Sequence, residues 1–476
     1  MNKPKLRLIE TFSGIGMQYL GLKNSNLFDV ESVATSDIDK DAIIDYAAMH
    51  CGLTNELVKN YNKYPDRLEM VKELTDKNIG FDFLKNKSYD WNRVEKSKNK
   101  LELCKIWLAV HLSKNIGDIS RVNSLPECDM LTFSFPCQSI SVAGKQEGIK
   151  ASETRSGLVY EVVRLIEEYQ DRKQLPKYLL LENVSALVQK KFINDFENLN
   201  NFFNDIGYSV YWKVLNAKEC GIPQNRERVF GVYIRKDIDT KTMGFPKPFD
   251  NGLRLKDVLE STWENKYNLS DKITGRFHLT NQNFTANIIG DTKPEFRTIG
   301  QKDNVYNGEG IIGTLTASDY KQPKQVAIVD DTYKNREPRV YTESSPTLRS
   351  ERSGLKVAEP FVIASRGRYN SDGEIEQHLE PNLTGTTNTL TSVQKDNYVV
   401  VNGAKIVIRK LTPKECFRLM GIDDKYFERC SEINTSDTHL YKQAGNGIVT
   451  NCIELIAEHL YKAQYDSSFK CTDENF

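Results

Sequence analysis

The chain has 476 residues, more than one ordinary domain holds, so two structural units are the default expectation. Lysine plus arginine equals aspartate plus glutamate at 65 each, so overall charge argues neither for nor against nucleic acid, and a DNA binder of this balance must gather its basic groups in one cleft. Nine irregularly spaced cysteines with no Cys-x-x-Cys pair argue against a zinc ribbon or a thioredoxin-type site and suit free thiols in a reducing compartment; no metal is expected.

In chain order, Leu6–Ile9 reads as a strand, Phe12-Ser13-Gly14-Ile15-Gly16 as a glycine turn and Met17–Leu22 as the start of a helix. A second strand, Val30–Thr35, ends at Asp37-Ile38-Asp39, and Asp41–Met49 reads as a helix. This is the opening of a doubly wound α/β unit, which binds ligands at the carboxyl ends of its strands. Residues 52–115 are lysine-rich and helix-like, an insertion read as a solvated excursion, with an extra DNA-facing surface as the alternative. Asp129–Phe135 is a strand running into Pro136-Cys137, Gly157–Tyr169 an amphipathic helix, and Tyr178–Leu181 a strand ending at Glu182-Asn183. Tyr208–Leu215 and Arg228–Ile234 read as an antiparallel pair. From about Phe245 the strands shorten and glycine and proline become frequent, as in a smaller β-rich domain. Long helical patterns return at Thr412, and Gly445-Asn446-Gly447 precedes a helix over Ile448–Leu460. No window approaches the ~20 apolar residues of a membrane span, and the amino terminus has no signal-type apolar run, so a cytoplasmic protein without a membrane partner is expected.

The turn between the first strand and helix lets a ligand approach the backbone at a helix amino terminus; without a third glycine it favours a nucleoside over a dinucleotide. Asp37, about twenty residues on, is placed to hold ribose hydroxyls, and Asp118 to meet an adenine amino group. Cys137 follows a buried strand and a proline, at the edge where such sheets carry catalytic groups, and the polar Ser139–Gly148 loop after it is long enough to close as a lid. Glu182 ends the neighbouring strand, and a carboxyl beside a thiol suits acid–base work on whatever the thiol attacks. Arg226 and Arg228, two apart, suit phosphate or base-carbonyl contacts.

In this order the segments ETFSGIG, SDIDKDA, GDIS, FPCQSIS, ENV, QNRERVFGV, RKLTPKECFRLMGI and QAGNGIV resemble the motifs of DNA cytosine-5 methyltransferases of the bacterial and phage restriction-modification type, over nearly the whole chain. The resemblance implies an AdoMet-dependent, Rossmann-like catalytic domain over 1–245, a target-recognition domain over 246–408, and a segment over 409–476 that braces the second domain and returns to the first. It implies S-adenosylmethionine as methyl donor and S-adenosylhomocysteine as product. The donor would lie against Phe12, Ser13, Gly14, Gly16, Asp37, Ile38, Asp118, Ile119, Pro136 and Asn446. Cys137 would be the nucleophile, Glu182 would contact cytosine nitrogen 3, and Arg226 and Arg228 the extruded base or its phosphate. Gln138, Ser141, Gln224 and one of three Thr-Leu pairs, Thr314-Leu315, Thr347-Leu348 or Thr389-Leu390, the last favoured on spacing, would touch double-stranded DNA; Arg349, Arg352, Arg366 and Arg368 are further candidates. A monomer is expected, with any cognate restriction endonuclease a separate protein. An RNA-methylating relative and a non-catalytic DNA binder are the alternatives; the long 246–408 region opposes the first, and the presence of Cys137 and Glu182 the second. Three positions depart from the family pattern: Met17 and Ser134 stand where glycine is usual, and Asp37 replaces the commoner glutamate.

Overall fold

The structure is a computed structural model. It describes residues 3–81, 87–91, 100–135, 158–268, 411–434 and 436–470, and between 269 and 410 the backbone of eight strands.

A six-stranded sheet organises the molecule. Its strands are β1 (Lys5–Thr11), β2 (Asp29–Ser36), β3 (Met130–Phe133), β4 (Tyr178–Val184), β5 (Tyr208–Asn216) and β7 (Glu227–Arg235), in the order β2-β1-β3-β4-β7-β5; β6 is the two-residue Gln224–Asn225. The first four strands are parallel, and β7 pairs antiparallel with both β4 and β5. Strand order reverses direction between β1 and β3, which opens a crevice at their carboxyl ends.

Side chains alternate across the sheet and feed two cores. Leu6, Leu8, Met130, Tyr178 and Leu180 join the core beneath α1 (Met17–Asn24), whereas Ile9, Leu131, Phe133, Leu179 and Leu181 join the opposite one. The opposite core is closed by two helices not adjacent in sequence, α6 (Val159–Asp171) and α7 (Ile193–Asp205). In α6 the buried Val159, Val162, Leu165, Ile166 and Tyr169 keep helical spacing.

The chain between β2 and β3 holds α2 (Lys40–His50), α3 (Asn55–Asn60), α4 (Arg67–Asp76) and α5 (Lys100–Leu112). The solvated-excursion reading of 52–115 is corrected here. Leu53, Val58, Met70, Leu74, Trp91, Leu103, Ile106 and Trp107 pack with α2 into a third core. This core also takes in Ile433, and Asn55 and Lys105 donate to the carbonyls of Glu432 and Ile433.

Between 269 and 410 the backbone forms two antiparallel sheets. One is β8 (His278–Leu279), β9 (Ile288–Asp291) and β10 (Asn304–Tyr306); the other is β11 (Val362–Tyr369), β12 (Ile375–Glu380), β14 (Tyr398–Val401) and β15 (Val407–Lys410). A short strand, β13 (Thr387–Asn388), pairs parallel with β6, Thr387 opposite Gln224 and Asn388 opposite Asn225.

Four helices follow: α8 (Pro413–Arg418), α9 (Asp424–Ile433), α10 (Asp437–Asn446) and α11 (Thr450–Tyr465). A Thr412–Glu415 capping box starts α8, Glu415 also accepts the Glu260 amide, and Arg418 donates to the Val258 carbonyl, which ties this segment to the chain around residues 258–260. Gly445 and Asn446, expected just before a helix, instead end α10. Helix α11 lies against α1, where a Cβ on Gly21 would come within 2.6 Å of the Ile453 Cβ. Among the described residues no helix is long and apolar enough to cross a membrane.

Candidate active site

The crevice begins where β1 ends. Phe12 (φ 58°), Gly14 (51°) and Gly16 (77°) are left-handed, so the turn coils tightly before α1. The conformation is rare for phenylalanine and marks a backbone held against its preference. Gly16 is required sterically, since a Cβ there would come within 2.6 Å of the Tyr46 ring and 2.7 Å of the His50 Nε2. Gly14 faces open space, with no atom within 4 Å of where its Cβ would stand. Glu10, buried in β1, fixes the helix from below: it accepts the Tyr19 amide at 3.0 Å and the Tyr46 hydroxyl at 2.8 Å. Burial pushes the Glu10 carboxyl up to about 7.

Asp37 closes the turn. Its Oδ2 accepts the Gly14 amide at 2.8 Å and its Oδ1 the Asp39 amide at 2.8 Å. Desolvation, with the Asp39 charge second, pushes Asp37 up to about 6 despite these bonds. Next to it, the Ser36 hydroxyl donates to the Gly117 carbonyl, which sets Asp118 beside the end of β2. Asp118 accepts from Asn78 (2.7 Å) and from the amide and hydroxyl of Ser120, and Ile119 is buried behind it. Open space over Gly14, a carboxyl at the tip of β2 and a second carboxyl at Asp118 fit the sugar and base of a nucleoside.

The second half of the site lies at the ends of β3 and β4. Glu182 shares the parity of Tyr178 and Leu180, so it faces the side of the sheet that carries α1. It is buried, and the Arg228 Nε lies 3.1 Å from its Oε1. Burial raises the Glu182 carboxyl above its ordinary value, while Arg228, Arg226 and the Ser134 hydroxyl pull it back. Ser134 in turn accepts the Gln18 side-chain amide at 2.8 Å. On the other parity, Asn183 donates to the Phe135 carbonyl at 3.3 Å. The strand that carries the acid therefore grips the two residues just ahead of Pro136-Cys137. Pro136, Cys137, Gln138, Ser141, Thr389 and Leu390 lie outside the described residues, as do Arg349 and Arg352. Of Arg366 and Arg368 only the backbone, in β11, is described.

A family profile for C-5 cytosine-specific DNA methylases matches residues 77–462. The chain belongs to that family. It is 32% identical to the type II methyltransferase M2.ScrFI of Lactococcus lactis subsp. cremoris, over 96% of this chain and all of that one. It is 27% identical to the orphan methyltransferase M.SPRI of Bacillus phage SPR, over 96% and 97% of the two chains. To the type II methyltransferase M.HhaI of Haemophilus parahaemolyticus it is 29% identical, over 72% and 80%. This methylase is therefore a DNA (cytosine-5) methyltransferase that uses S-adenosylmethionine, and its reaction runs through base extrusion and a covalent cysteine adduct.

Gln224, expected to touch DNA, and Arg226, expected at the extruded base or its phosphate, both make hydrogen bonds within the protein. Gln224 is fully buried and donates to the Leu419 carbonyl at 2.6 Å, so its side chain is committed to the start of the last helical segment. Arg226, also buried, donates to the carbonyls of Gly445 (3.2 Å) and Gly447 (2.6 Å). It secures the turn after α10, while Arg228 pairs with the Glu182 carboxyl. Met17, the departure at the end of the first motif, reaches the same turn: its Sδ accepts the Ile448 amide at 3.0 Å, and a Cβ on Gly447 would lie 2.2 Å from that sulfur. Sequence reasoning missed Gln18, Glu10 and the side-chain role of Asn183, although Glu10 opens the ETFSGIG segment, Asn183 lies in ENV and Gln18 follows the glycine turn.

Proposed function

We propose that Cys137 and Glu182 perform the chemistry on a cytosine extruded from double-stranded DNA, with Arg228 holding the acid in place. The paired geometry of Glu182 and Arg228 carries this reading. Cytosine carbon 5 is a weak nucleophile, so a group must first add at carbon 6. Two peptide links span about 7 Å, and that reach from Phe135, gripped by the end of β4, supports a thiol beside Glu182. Attack by the Cys137 thiolate at carbon 6 pushes electrons toward nitrogen 3, where Glu182 donates a proton or hydrogen bond. A carboxyl raised by burial but restrained by a guanidinium suits both giving that proton and taking it back. Carbon 5, now enamine-like, takes the methyl group; loss of its proton to a base and departure of the Cys137 thiolate restore the ring.

Phe12, Gly14, Asp37, Ile38, Asp118 and Ile119 would hold S-adenosylmethionine, with Ser13, Gly16, Pro136 and Asn446 bordering it. Bound there, this group supplies an electrophilic methyl carbon on a sulfonium. Residues 246–408 would read the target sequence. The pairing of Thr387–Asn388 with Gln224–Asn225 supports Thr389-Leu390 as the Thr-Leu pair that enters the site, since they are the next residues in the chain. Gln138 and Ser141 would meet the DNA from the loop after the nucleophile. The protein would act as a cytoplasmic monomer, with any cognate endonuclease separate.

Trapping on duplex DNA carrying 5-fluorocytosine tests the reading, because fluorine at carbon 5 cannot leave as a proton does. The wild-type protein should form a denaturation-resistant complex, and Cys137→Ser should not. Full trapping by Cys137→Ser would remove Cys137 from the mechanism.

A further inference from the structure

The end of β3 carries a hydrogen-bond bridge between the two halves of the site. The Gln18 amide, on α1 directly after the glycine turn, donates to the Ser134 Oγ at 2.8 Å. In the parallel register Phe133 lies opposite Leu181, so Ser134 and Glu182 follow side by side at the ends of β3 and β4, and the Ser134 hydroxyl stabilises the charged form of the Glu182 carboxyl. A hydroxyl has one proton and two lone pairs. With one lone pair taken by Gln18, its proton is free to point at an ionised Glu182, and its second lone pair can receive the proton of a neutral one. The bridge thus persists through both states of the acid. A residue without a side-chain oxygen at 134 would leave Gln18 and Glu182 unconnected.

We infer that Ser134 is a positioning residue for methyl transfer, which, with Gln18, fixes the Glu182 carboxyl relative to the helix that carries the methyl-donor turn. The inference rests on the reading of Glu182 as the acid at nitrogen 3. It has two consequences of opposite direction. Without the hydroxyl the carboxyl loses a fixed partner, so the plateau rate falls. The ionised carboxyl also loses a donor, so Glu182 keeps its proton to higher pH.

The test is the single-turnover methylation rate as a function of pH for wild type, Ser134→Ala, Ser134→Thr, Gln18→Met and Glu182→Gln, all saturated with S-adenosylmethionine and duplex DNA. Ser134→Ala should lose about tenfold in plateau rate and move the alkaline limb upward. Ser134→Thr, which keeps the hydroxyl, should restore the limb to its wild-type position. Gln18→Met should lose rate with a smaller movement of the limb. Glu182→Gln separates the two ideas: if it abolishes the limb while Ser134→Ala leaves it in place, the Ser134 role is overturned and the acid reading stands. If Glu182→Gln leaves both rate and limb unchanged, the acid reading falls and the Ser134 role with it. Should Ser134→Ala not fold, Ser134→Thr and Gln18→Met decide: a limb displaced in Ser134→Thr or unmoved in Gln18→Met also overturns the inference.

Discussion

Arg228 and Glu182 meet diagonally across neighbouring antiparallel strands, Nε to Oε1 at 3.1 Å, with Arg228 opposite Val184 in the register. The arginine opposes the burial that raises this carboxyl's pKa. Arg228→Gln should therefore raise the Glu182 pKa further and shift the alkaline limit of turnover to higher pH. The rate at neutral pH should fall about 10- to 100-fold, as for loss of a hydrogen bond to a charged group. A pH–rate profile identical to wild type would show that the pair does not govern the acid.

Asp37 ionises near pH 6. Its carboxylate form is the better acceptor for ribose hydroxyls, and it is present above that pH and lost below it. Affinity for S-adenosylhomocysteine, measured by calorimetry, should weaken as pH falls through about 6. Asp37→Asn should bind roughly 10-fold or more weakly and lose this pH dependence. Asp37→Glu, with the longer acid, tests whether the shorter reach is matched to this turn.

Glu10 makes stability pH-dependent. Its folded value, about 7, lies above the ordinary 4.5, so the native state holds a proton that the unfolded chain gives up. Its stabilising contribution is full below about pH 4.5 and declines as pH rises toward 7. Glu10→Gln keeps an acceptor for the Tyr19 amide and offers Tyr46 a donor, so it should flatten the fall in Tm across that window. A curve parallel to wild type would assign the dependence to other groups.

Met17 and Gly447 form a matched pair, the sulfur occupying the space a larger residue 447 would need. Gly447→Ala should cost about 1–3 kcal/mol by overpacking. Met17→Ala should recover part of that loss in the double variant, because neighbours in contact are non-additive. Denaturant melts of the four proteins measure the coupling.

Glu182 was legible in the sequence because the apolar run Tyr178–Leu181 marks a buried strand and the acid is the first polar residue after it. The glycine turn and Asp37 were legible for the same reason, a strand end read from its hydrophobic run. The burial of Gln224 and Arg226 was not legible, because QNRER has the composition of a solvated turn. What buries them are carbonyls of Leu419, Gly445 and Gly447, about two hundred residues later, which no local pattern contains. The 52–115 insertion was misread because its lysines obscure apolar positions on the short α3 and α4, and because α5 is apolar around most of its surface rather than on one face. The Gln18–Ser134–Glu182 bridge joins three distant segments and exists only once β1, β3 and β4 lie side by side.

The most direct measurement is bisulfite sequencing of plasmid DNA from cells that express the wild-type chain or Cys137→Ala. Wild-type expression should protect cytosines at one short recurring sequence, and the variant should leave every such site unmodified. No protected cytosine above the empty-vector background, or the same protection from the variant, would contradict a thiol-dependent cytosine methyltransferase.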